Sequence, residues 1–397
     1  MQMKRIFIAI QYMELGGAER ALLGLLDALD ASRFQVDLFV YRHSGELMPL
    51  IPSKVNLLPE LPAYRAISRP LKDILLEGRL GIAGARLWAK WRSARFGKRL
   101  DGPENYAVFD DAAAAVSPFL PSLKKLGVYD LAISFLTPHR IVRDKVRARR
   151  KIAWIHTDYS SIGINVEREL PVWRAYDHII SISPQAGRGF LSRFPELEGR
   201  LVQMENIVSP EGVREQAALE DVSGVMGGSP CLCTVGRFSH AKGMDRAVRL
   251  AARLVGLGME RLRWHLIGYG DEASLRREIR DCGMEEHVII LGKKANPYPY
   301  MAACDLYVQP SRYEGKAVAV REAQILGRPV AVTRFPTSAG HLEDGVDGLI
   351  IPNEEEGAAV ELFRLLNDAA RLESLSAECR RRDYGNRDEI LKLEELI

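Results

Sequence analysis

Short apolar runs rich in β-branched residues alternate with helical stretches along most of the chain. In the first half, such runs lie at residues 4–10, 34–41, 129–135, 150–156 and 178–183. The pattern starts again after residue 225, with runs at residues 231–237, 263–270, 287–292, 305–311, 328–333 and 348–352. Nearly continuous apolar strands that alternate with helices are typical of parallel sheets covered on both faces. The pattern therefore predicts an α/β fold with two doubly wound, Rossmann-like domains that face each other across a cleft.

The boundary between the two domains is predicted near residues 206–228, where Pro, Gly and Ser are frequent. We therefore expect a first domain at residues 1–206 and a second domain at residues 207–380. Residues 60–125 do not follow the alternation of strands and helices. We expect them to be an insertion in the first domain.

Within this insertion, residues 78–99 form a basic amphipathic segment. The segment contains seven Lys and Arg residues and no acidic residue. Its side chains Leu80, Leu87, Trp88 and Trp91 fall on one face of a helix. A basic helix with tryptophans suits a membrane surface, but a helix that packs its tryptophans on the core has the same spacing. The sequence leaves both interpretations open.

The composition excludes several classes of protein. The chain has 397 residues, of which 47% are apolar and 27% charged, a globular balance that suits two domains. No stretch approaches the roughly 20 apolar residues that a membrane span needs, and the run at residues 6–10 is too short for a signal peptide. The five cysteines form no paired CxxC motif, so neither a zinc site nor a disulfide framework is expected. We therefore expect a cytoplasmic protein.

Charge is divided unevenly along the chain. Residues 1–205 carry 30 basic and 22 acidic residues, a net charge of +8, whereas the whole chain has +3. This asymmetry indicates that the first half contacts an anionic partner. The segment 139–151 has seven basic residues and one acidic residue, but it lacks interleaved aromatics, so binding of nucleic acid is not expected. A nucleotide- or polyanion-binding protein without catalysis remains as one alternative.

Two cations lie on the turn that follows the run at residues 231–237. Doubly wound sheets bind ligands at the carboxyl ends of their strands, so each turn of this kind is a candidate site. Arg237 and Lys242 lie five residues apart there, between Gly236 and Gly243. Arg offers fork-shaped hydrogen bonds and Lys a point charge, so the pair could clamp a diphosphate. A solvated pair of cations would have the same spacing.

The turn within residues 263–273 contains Gly268, Gly270 and Ala273, which nearly match a dinucleotide-binding turn. That motif also needs an acidic residue at the end of the next strand, where this chain has Lys293 and Lys294. A nicotinamide site is therefore disfavoured, and a turn that lies near a nucleotide remains.

Two carboxylates and two glycines complete the candidates. Glu314 follows the run at residues 305–311, and seven residues separate it from Glu322 on a predicted helix. A helix that starts after Gly315 would direct free N–H groups at an anion, and the carboxylates could accept hydrogen bonds from a sugar and a ribose. At the first turn, Gly16 and Gly17 would allow a phosphate or an acceptor to approach the backbone. A tight turn without a ligand would have the same glycines.

Together these turns resemble the retaining glycosyltransferases of family four, which have the GT-B fold. For this chain the resemblance implies a setting in bacterial envelope or capsule polysaccharide assembly. The resemblance covers nearly the whole chain and is strongest in VGRFSHAKG, IGYGDE, NPYPYMAACDLYVQPSRYEG and EAQILGRPVAVT. It implies that the first domain binds the acceptor and the second binds the donor. It also implies that a helix within residues 381–397 crosses back to the first domain.

The resemblance implies catalytic roles for four residues. Arg237 and Lys242 match the basic pair that neutralises the donor diphosphate. Glu314 matches the glutamate that faces the donor sugar. His156, which follows a strand of the first domain, matches a histidine near the reacting centre.

The resemblance also implies a donor-binding set. Glu322 matches the glutamate that bonds the ribose, and Gly16 would face the diphosphate. The remaining members of this set are Gly17, Gly268, Gly270, Gly315, Lys316 and Ala317. Family members often have an aromatic and small residues after the first glutamate, so Lys316 is a departure. Its role, a phosphate contact or a solvent-exposed side chain, stays open.

The implied reaction moves a sugar from a nucleotide-diphosphate sugar, with UDP as the expected nucleotide, to a glycan or lipid-linked acceptor. Fixed cations and amides would stabilise the departing diphosphate, so neither a metal ion nor another cofactor is expected. The basic segments are expected to meet the anionic inner face of a membrane. Asp110 and Asp111 lie outside the motifs and are expected at the surface. A sugar-nucleotide epimerase or phosphorylase on the same fold is the alternative enzyme, since a fold does not determine a function.

Overall fold

The computed structural model describes residues 3–67, 69–97, 104–160, 162–314, 317–335 and 337–397. The chain forms two compact units. The first consists of Met1–Ile207 and Asn386–Ile397, and the second consists of Val208–Gly385.

The first unit is built on a sheet of parallel strands. The strands of this unit are β1 (Lys4–Ile10), β2 (Phe34–Val40), β3 (Asn56–Leu57), β4 (Glu104–Asn105), β5 (Val128–Ser134), β6 (Arg147–Ile155), β7 (Ile162–Gly163), β8 (His178–Ser181) and β9 (Leu201–Gln203). Seven of them form the main sheet in the order β3-β2-β1-β5-β6-β8-β9, and β4 pairs with β7 in a separate ladder. Both faces of the main sheet are covered: along β1, Ile6 and Ile8 belong to one core cluster, and Phe7 and Ala9 belong to the other. This double burial explains why the strands are almost continuously apolar.

Helices cover both faces of this sheet. They are α1 (Gly17–Ala28), α2 (Pro62–Arg65), α3 (Leu71–Leu76), α4 (Leu80–Gly97), α5 (Ala107–Val116), α6 (Arg140–Lys145), α7 (Val166–Trp173) and α8 (Pro184–Leu191). Helices α2 to α5 all lie within the segment 60–125, which breaks the alternation of strands and helices.

The basic helix α4 does not pack its tryptophans on the core. Its buried residues are Ile82, Ala83, Ala89 and Ser93, and the helix lies against α5. Its other side chains Leu80, Leu87, Trp88 and Trp91 are all exposed. The interpretation that the tryptophan face packs on the core is therefore wrong.

The expectation that Asp110 and Asp111 lie at the surface is also wrong. Both side chains are buried on α5. Arg140 binds Asp110 at 3.0 Å, and Arg168 binds Asp111 at 3.0 Å. A buried carboxylate needs a cation or hydrogen-bond donors, and these arginines come from α6 and α7, which sequence spacing does not link to α5.

The second unit repeats the same plan. Its strands are β10 (Cys231–Val235), β11 (Arg263–Ile267), β12 (Val288–Gly292), β13 (Leu306–Gln309), β14 (Val330–Thr333) and β15 (Gly348–Ile351). Its helices are α9 (Pro210–Ala217), α10 (Met244–Gly256), α11 (Glu272–Asp281), α12 (Tyr298–Ala302), α13 (Val318–Ile325), α14 (Glu355–Asn367) and α15 (Ala369–Arg381). The strands are parallel and lie in the order β12-β11-β10-β13-β14-β15. Every apolar run predicted as a strand coincides with a strand, and the predicted α/β fold with two doubly wound units is confirmed.

The strand order decides where a site can form. In each sheet the chain first winds in one direction and then restarts beside its first strand, so β1 neighbours β5 and β10 neighbours β13. Ligands of doubly wound sheets bind where the order reverses, because the loops on either side lead away from each other there. In the second unit, this point lies between the turn after β10 and the turn after β13.

The last helix, α16 (Glu389–Glu395), belongs to the first unit. Its residues Ile390 and Leu393 are buried in the core cluster that contains Ile6 and Ile8 of β1. Glu389 accepts a hydrogen bond from the backbone N–H of Glu205 at 2.8 Å. The chain therefore leaves the first unit after residue 207 and returns to it at residue 386.

Candidate active site

The turn after β10 carries both predicted cations. Arg237 is exposed, and it makes no ion pair within the part of the chain that the structure describes. Lys242 ends a short 3₁₀ helix, His240–Lys242, and is followed by Gly243 with φ +65°. A Cβ atom at Gly243 would lie 2.1 Å from the carbonyl oxygen of Pro310. Only glycine allows this left-handed turn to press on the backbone of the loop after β13.

Lys242 and Glu314 meet across these two turns. The Lys242 Nζ atom lies 2.6 Å from Oε1 and 2.7 Å from Oε2 of Glu314. The Glu314 side chain is 7% exposed and that of Lys242 is 27% exposed. An ammonium has three N–H donors, so two of them reach the carboxylate and one remains for another acceptor.

The Glu314 carboxylate is oriented by neighbours on its own strand and loop. Ser311 Oγ donates to Glu314 Oε1 at 2.7 Å, and Gln309 Nε2 donates to the same oxygen at 3.3 Å. The Tyr307 hydroxyl in turn donates to Gln309 Oε1 at 2.7 Å. Because Tyr307, Gln309 and Ser311 are all buried, this chain of hydrogen bonds holds the carboxylate in one orientation.

Arg312 ties the Glu314 loop to helix α10. Its two terminal nitrogens bind the two Asp245 oxygens at 2.8 and 2.6 Å, and its N–H donates to the carbonyl of Ala241 beside Lys242. Burial raises the pKa of Asp245, but hydrogen bonds from Arg312 and Arg249 outweigh burial and hold that pKa below its usual range. Asp245 therefore stays ionised, and the two turns that carry Lys242 and Glu314 are joined at a second point.

Glu322 lies on α13, as predicted, and is buried. The hydroxyl of Tyr298, on α12, donates to its Oε1 at 2.7 Å. A carboxylate has about four lone-pair sites, so Oε2 can accept further hydrogen bonds. Tyr298 limits the directions in which the carboxylate can point.

Helix α13 begins beside His341. The N–H of Ala317 donates to His341 Nε2 at 2.7 Å, and His341 Nδ1 lies 2.8 Å from the carbonyl of Thr337. One ring nitrogen accepts and the other donates, so His341 is neutral in this arrangement. The N–H of Ala317 thus has a protein partner here, whereas Gly315 and Lys316 lie outside the described residues.

The glycines after β11 bring that turn against the turn after β10. A Cβ atom at Gly268 would lie 1.8 Å from the carbonyl oxygen of Gly236, and Gly270 forms a parallel bridge with Phe238. These contacts support the backbone on either side of Arg237. Their observed role is close packing of the two turns.

In the first unit, Gly16 and Gly17 start α1. Gly16 is the N-cap residue, and a Cβ atom there would lie 2.1 Å from Glu19 Oε2. The Glu19 carboxylate is buried, and desolvation raises its pKa. An acidic side chain therefore occupies the space beside the first helical turn.

His156 follows β6 and has an aromatic setting. Its ring centroid lies 4.7 Å from that of Phe135 and 6.4 Å from that of Trp154. Desolvation lowers the pKa of His156 to about 3, although a backbone hydrogen bond at Phe135 acts in the opposite direction. Its Nε2 atom is buried without a hydrogen-bond partner among the described residues. His156 is thus a neutral ring with one nitrogen available to a ligand.

Residues 229–368 match the family model of glycosyl transferases group 1. A crystal structure of Anabaena Alr3699/HepE in complex with UDP-glucose superimposes with a TM-score of 0.64 and 17% identity, covering 99% of this chain and 100% of that one. The chain has the GT-B fold, and residues 229–368, which make up most of its second unit, are similar to the glycosyl transferases group 1.

Two curated relatives match the chain over shorter stretches. The lipopolysaccharide core biosynthesis glycosyltransferase LpsE of Rhizobium meliloti (strain 1021) is 29% identical over 142 residues, 35% of this chain and 40% of that protein. The N-acetylgalactosamine-N,N'-diacetylbacillosaminyl-diphospho-undecaprenol 4-alpha-N-acetylgalactosaminyltransferase of Campylobacter jejuni subsp. jejuni serotype O:2 (strain ATCC 700819 / NCTC 11168) is 30% identical over 156 residues, 38% of this chain and 41% of that protein. The chain thus matches about two fifths of the length of these relatives.

Sequence reasoning missed several residues of this GT-B site. Ser311 and Gln309 hold Glu314, and their spacing of three and five residues before it is a signal that could have identified them. Tyr298 gives no such signal, because it lies 24 positions before Glu322 with a strand between them. His341 lies 24 residues beyond Ala317 and is equally hidden.

The basic segment 139–151 of this GT-B chain uses many of its cations internally. Arg140 binds Asp110 at 3.0 Å, Arg143 binds Asp144 at 2.6 Å, and Lys151 donates to backbone carbonyls of α6. These contacts weaken the interpretation of the segment as a polyanion-binding surface. In the described part of the chain, no helix combines the length and the apolar character that a membrane span would need.

Proposed function

We propose that the protein is a retaining glycosyltransferase that moves a sugar from a UDP-sugar to a glycan or lipid-linked acceptor in the assembly of a cell-envelope polysaccharide. The observation that carries this proposal is the Lys242–Glu314 pair at the point where the strand order of the second unit reverses. The match to glycosyl transferases group 1 supports the activity. The UDP-glucose in the HepE structure supports the nucleotide, and the lipopolysaccharide core role of LpsE supports the pathway class.

The second unit binds the donor in this proposal. Arg237 and the third N–H of Lys242 contact the diphosphate, since both side chains lie on the turn after β10. Glu322, held by Tyr298, accepts the ribose hydroxyls. Glu314 faces the sugar, and the backbone from Gly315 to Ala317 contacts the phosphate or the sugar. Lys316 adds a further cation on this segment.

The two turns rich in glycine complete the donor site. Gly268 and Gly270 hold the turn beside Arg237 close to the nucleotide. Gly16 and Gly17 of the first unit present backbone N–H groups to the diphosphate at the start of α1. The buried Glu19 beside Gly16 disfavours a second negative charge there when its carboxyl is ionised, and desolvation raises the pKa of that carboxyl.

The reaction breaks the bond between the anomeric carbon and the β-phosphate oxygen. Negative charge then grows on the diphosphate, and the cations Lys242 and Arg237 stabilise it without a metal ion because they are already in place. The acceptor oxygen forms its bond on the same face of the sugar, and its proton passes to the departing phosphate oxygen. Glu314 is a poor nucleophile for a covalent intermediate, since Lys242, Ser311 and Gln309 already occupy its lone pairs.

The first unit binds the acceptor. His156 remains neutral because its pKa lies far below physiological pH, so its buried Nε2 can bond a hydroxyl of the donor sugar near the reacting centre. A lipid-diphosphate acceptor agrees with the diphospho-undecaprenol substrate in the name of the Campylobacter relative. In that case the protein works in the cytoplasm, on the anionic inner face of the membrane.

Two measurements test the proposal. Thermal-shift screening with UDP-, GDP- and ADP-sugars should show the largest stabilisation with a UDP-sugar, because a ligand that binds the native state raises its stability by mass action. The product formed from that donor with a lipid-diphosphate or glycan acceptor should keep the α configuration in NMR spectra. An inverted product would contradict the retaining mechanism, and stabilisation by none of the donors would contradict the donor site.

The alternative is a sugar-nucleotide epimerase or phosphorylase on the same fold. Incubation with a UDP-sugar alone separates the two enzymes. Epimerised sugar nucleotide without any acceptor would favour an epimerase, and sugar 1-phosphate formed with inorganic phosphate would favour a phosphorylase. We expect neither product.

A further inference from the structure

Helix α4 has apolar side chains on two opposite sides. At about 100° per residue, the buried residues Ile82, Ala89 and Ser93 form one face. The second set lies on the opposite face and consists of Leu80, Leu87, Trp88 and Trp91, which we call the Leu–Trp face. A helix that is apolar on both sides needs a second apolar environment besides the core.

The Leu–Trp face is open to solvent. Leu80 is 69% exposed, Leu87 53%, Trp88 49% and Trp91 55%. From residue 80 to residue 91 the helix rises about 17 Å, so these side chains form a continuous stripe. Leu76, at the end of α3, is 78% exposed beside the start of α4. Phe119, 51% exposed, packs against Gly81 and extends the stripe.

Cations accompany this apolar stripe. The Arg92 guanidinium carbon lies 5.0 Å from the ring centroid of Trp88, and that of Arg95 lies 4.9 Å from the ring centroid of Trp91. Lys90 is exposed on the flank of the stripe. Residues 78–99 contain no acidic residue. The surface is therefore both apolar and positive.

We propose that the Leu–Trp face of α4 docks the protein on the surface of an anionic lipid bilayer. Tryptophan suits the boundary between headgroups and acyl chains, because its ring is apolar and its N–H is polar. Leu80 and Leu87 enter the acyl region, while Lys90 and Arg95 meet lipid phosphates. The inference rests on the proposed function in one respect, since a lipid-linked acceptor requires the enzyme at such a surface.

The charge of α4 favours an anionic bilayer over a second copy of the chain as the partner of the Leu–Trp face. A two-fold interface places the same patch on both subunits, so Lys90 and Arg95 would approach their own copies, whereas Arg92 is paired with Asp111 at 3.5 Å. Like charges at short range are unfavourable, and α4 supplies no carboxylate to neutralise them. An anionic bilayer complements both the charge and the apolar stripe.

Tryptophan fluorescence offers a direct readout. The chain has five tryptophans, and Trp154, Trp173 and Trp264 are almost completely buried. A change in emission on membrane binding therefore reports on Trp88 and Trp91. We expect a blue shift and protection from iodide when the full chain meets vesicles of equal parts phosphatidylglycerol and phosphatidylcholine at low salt, and no change with phosphatidylcholine alone.

The variant W88S/W91S tests the apolar stripe, and K90E/R95E tests the charge. We expect the first to lower vesicle affinity at least about tenfold, through lost apolar burial. Each cation near an anionic surface contributes about fivefold in affinity, so the second should lower it about 25-fold or more. The matched control is L57S/V128S, which removes two exposed apolar side chains elsewhere on the first unit and should bind like the wild type.

The outcomes separate this proposal from the donor site. UDP-sugar thermal shifts should be the same in the wild type and in W88S/W91S, which also verifies that the variant folds. If the wild type fails to bind anionic vesicles while the UDP-sugar shift persists, the docking surface is wrong and the proposed function stands. If W88S/W91S binds as well as the wild type, the face is wrongly assigned. If instead W88S/W91S converts a dimer to a monomer in size-exclusion chromatography, a second copy covers the face and the proposal is overturned.

Discussion

The ammonium of Lys242 contacts both carboxylate oxygens of Glu314, at 2.6 and 2.7 Å, although Glu314 lies 72 positions further along the chain. The contact exists because β10 and β13 are neighbours where the strand order reverses, which brings their following turns together. It links the residue proposed to neutralise the diphosphate with the residue proposed to face the sugar. A substitution of either residue should therefore disturb the contacts to both the diphosphate and the sugar.

Lys242→Ala should lower kcat by about 100- to 1,000-fold, which is typical when one fixed group that stabilises developing negative charge is lost. The donor KM should change less, because Arg237 and Glu322 still bind the donor. Steady-state kinetics with a UDP-sugar checks the prediction. The variant should also lose about 1–3 kcal/mol of stability, since the buried Glu314 carboxylate loses a partner.

The matched control for this change is Lys392→Ala, which removes a lysine from a surface ion pair on α16. Its kinetics and stability should stay close to those of the wild type. The double variant K242A/E314Q should recover part of the stability, because no charged carboxylate is then left unpaired. A kcat of Lys242→Ala within twofold of the wild type would remove Lys242 from the mechanism.

Tyr298→Phe should raise the donor KM by about five- to tenfold and leave kcat nearly unchanged. The variant loses one hydrogen bond to Glu322, worth about 1 kcal/mol, while the apolar ring remains. Glu322→Ala should raise the donor KM further for the same reason. Tyr300→Phe is the control, since the Tyr300 hydroxyl bonds Glu220 at 3.2 Å. Equal KM values in Tyr298→Phe and Tyr300→Phe would show that Tyr298 does not position Glu322.

The sequence predicted the fold well for a simple physical reason. Strands buried on both faces, such as β1 with Ile6 and Phe7 in different cores, must be almost continuously apolar, so they stand out from the helices. The turns that carry Lys242 and Glu314 follow directly from that assignment, because the carboxyl ends of parallel strands lie at one edge.

What could not be predicted depends on contacts between distant elements. The pairing of Tyr298 with Glu322 depends on how α12 and α13 pack, and no sequence period records it. Adjacent acids such as Asp110 and Asp111 usually indicate a surface, yet arginines from other helices let them be buried. For α4, spacing identified the stripe with Trp88 but not the direction in which it points, because the opposite side of the helix is apolar too.

Glu169 should make the first unit less stable as the pH rises. Burial, and then the neighbouring Asp110, raise the pKa of this carboxyl to about 8, whereas it is about 4.5 in the unfolded chain. Between these two pKa values the folded state holds a proton that the unfolded state has lost. The free energy of unfolding therefore falls as the pH rises through this range. Glu169→Gln keeps an acceptor for Trp173 and cannot ionise. Between pH 6 and pH 8, the wild type should lose about 2 kcal/mol more unfolding free energy than the variant.

Urea unfolding at several pH values measures that difference. The control is Glu196→Gln, which removes a carboxylate from a partly exposed ion pair with Arg174 in the same unit. Its pH dependence should follow that of the wild type. Parallel curves for Glu169→Gln and the wild type would mean that Glu169 is ionised in the folded protein.

His156 should make the protein less stable as the pH falls, which is opposite to the effect of Glu169. Desolvation lowers its folded pKa to about 3, while an unfolded histidine has a pKa of about 6.5. Below pH 6.5 the unfolded chain gains a proton that the folded chain refuses, so stability falls as the pH drops. Between pH 7 and pH 5.5 this effect amounts to about 1 kcal/mol. The change H156Q should remove that part of the loss.

The Glu169→Gln background is the right setting for the histidine measurement, because Glu169 titrates in the opposite direction over the same range. His139 has the same lowered pKa, from desolvation first and the nearby His156 second, so part of the acid loss should persist in E169Q/H156Q. If stability falls by the same amount on acidification with and without His156, this ring is protonated in the folded state.

The decisive measurement is a crystal structure with bound UDP-sugar. The diphosphate should lie within hydrogen-bond distance of Lys242 Nζ and the Arg237 guanidinium, with the ribose on Glu322 and the sugar facing Glu314. A donor bound at any other place, with both glutamates free of contact to it, would show that the proposed donor site is wrong.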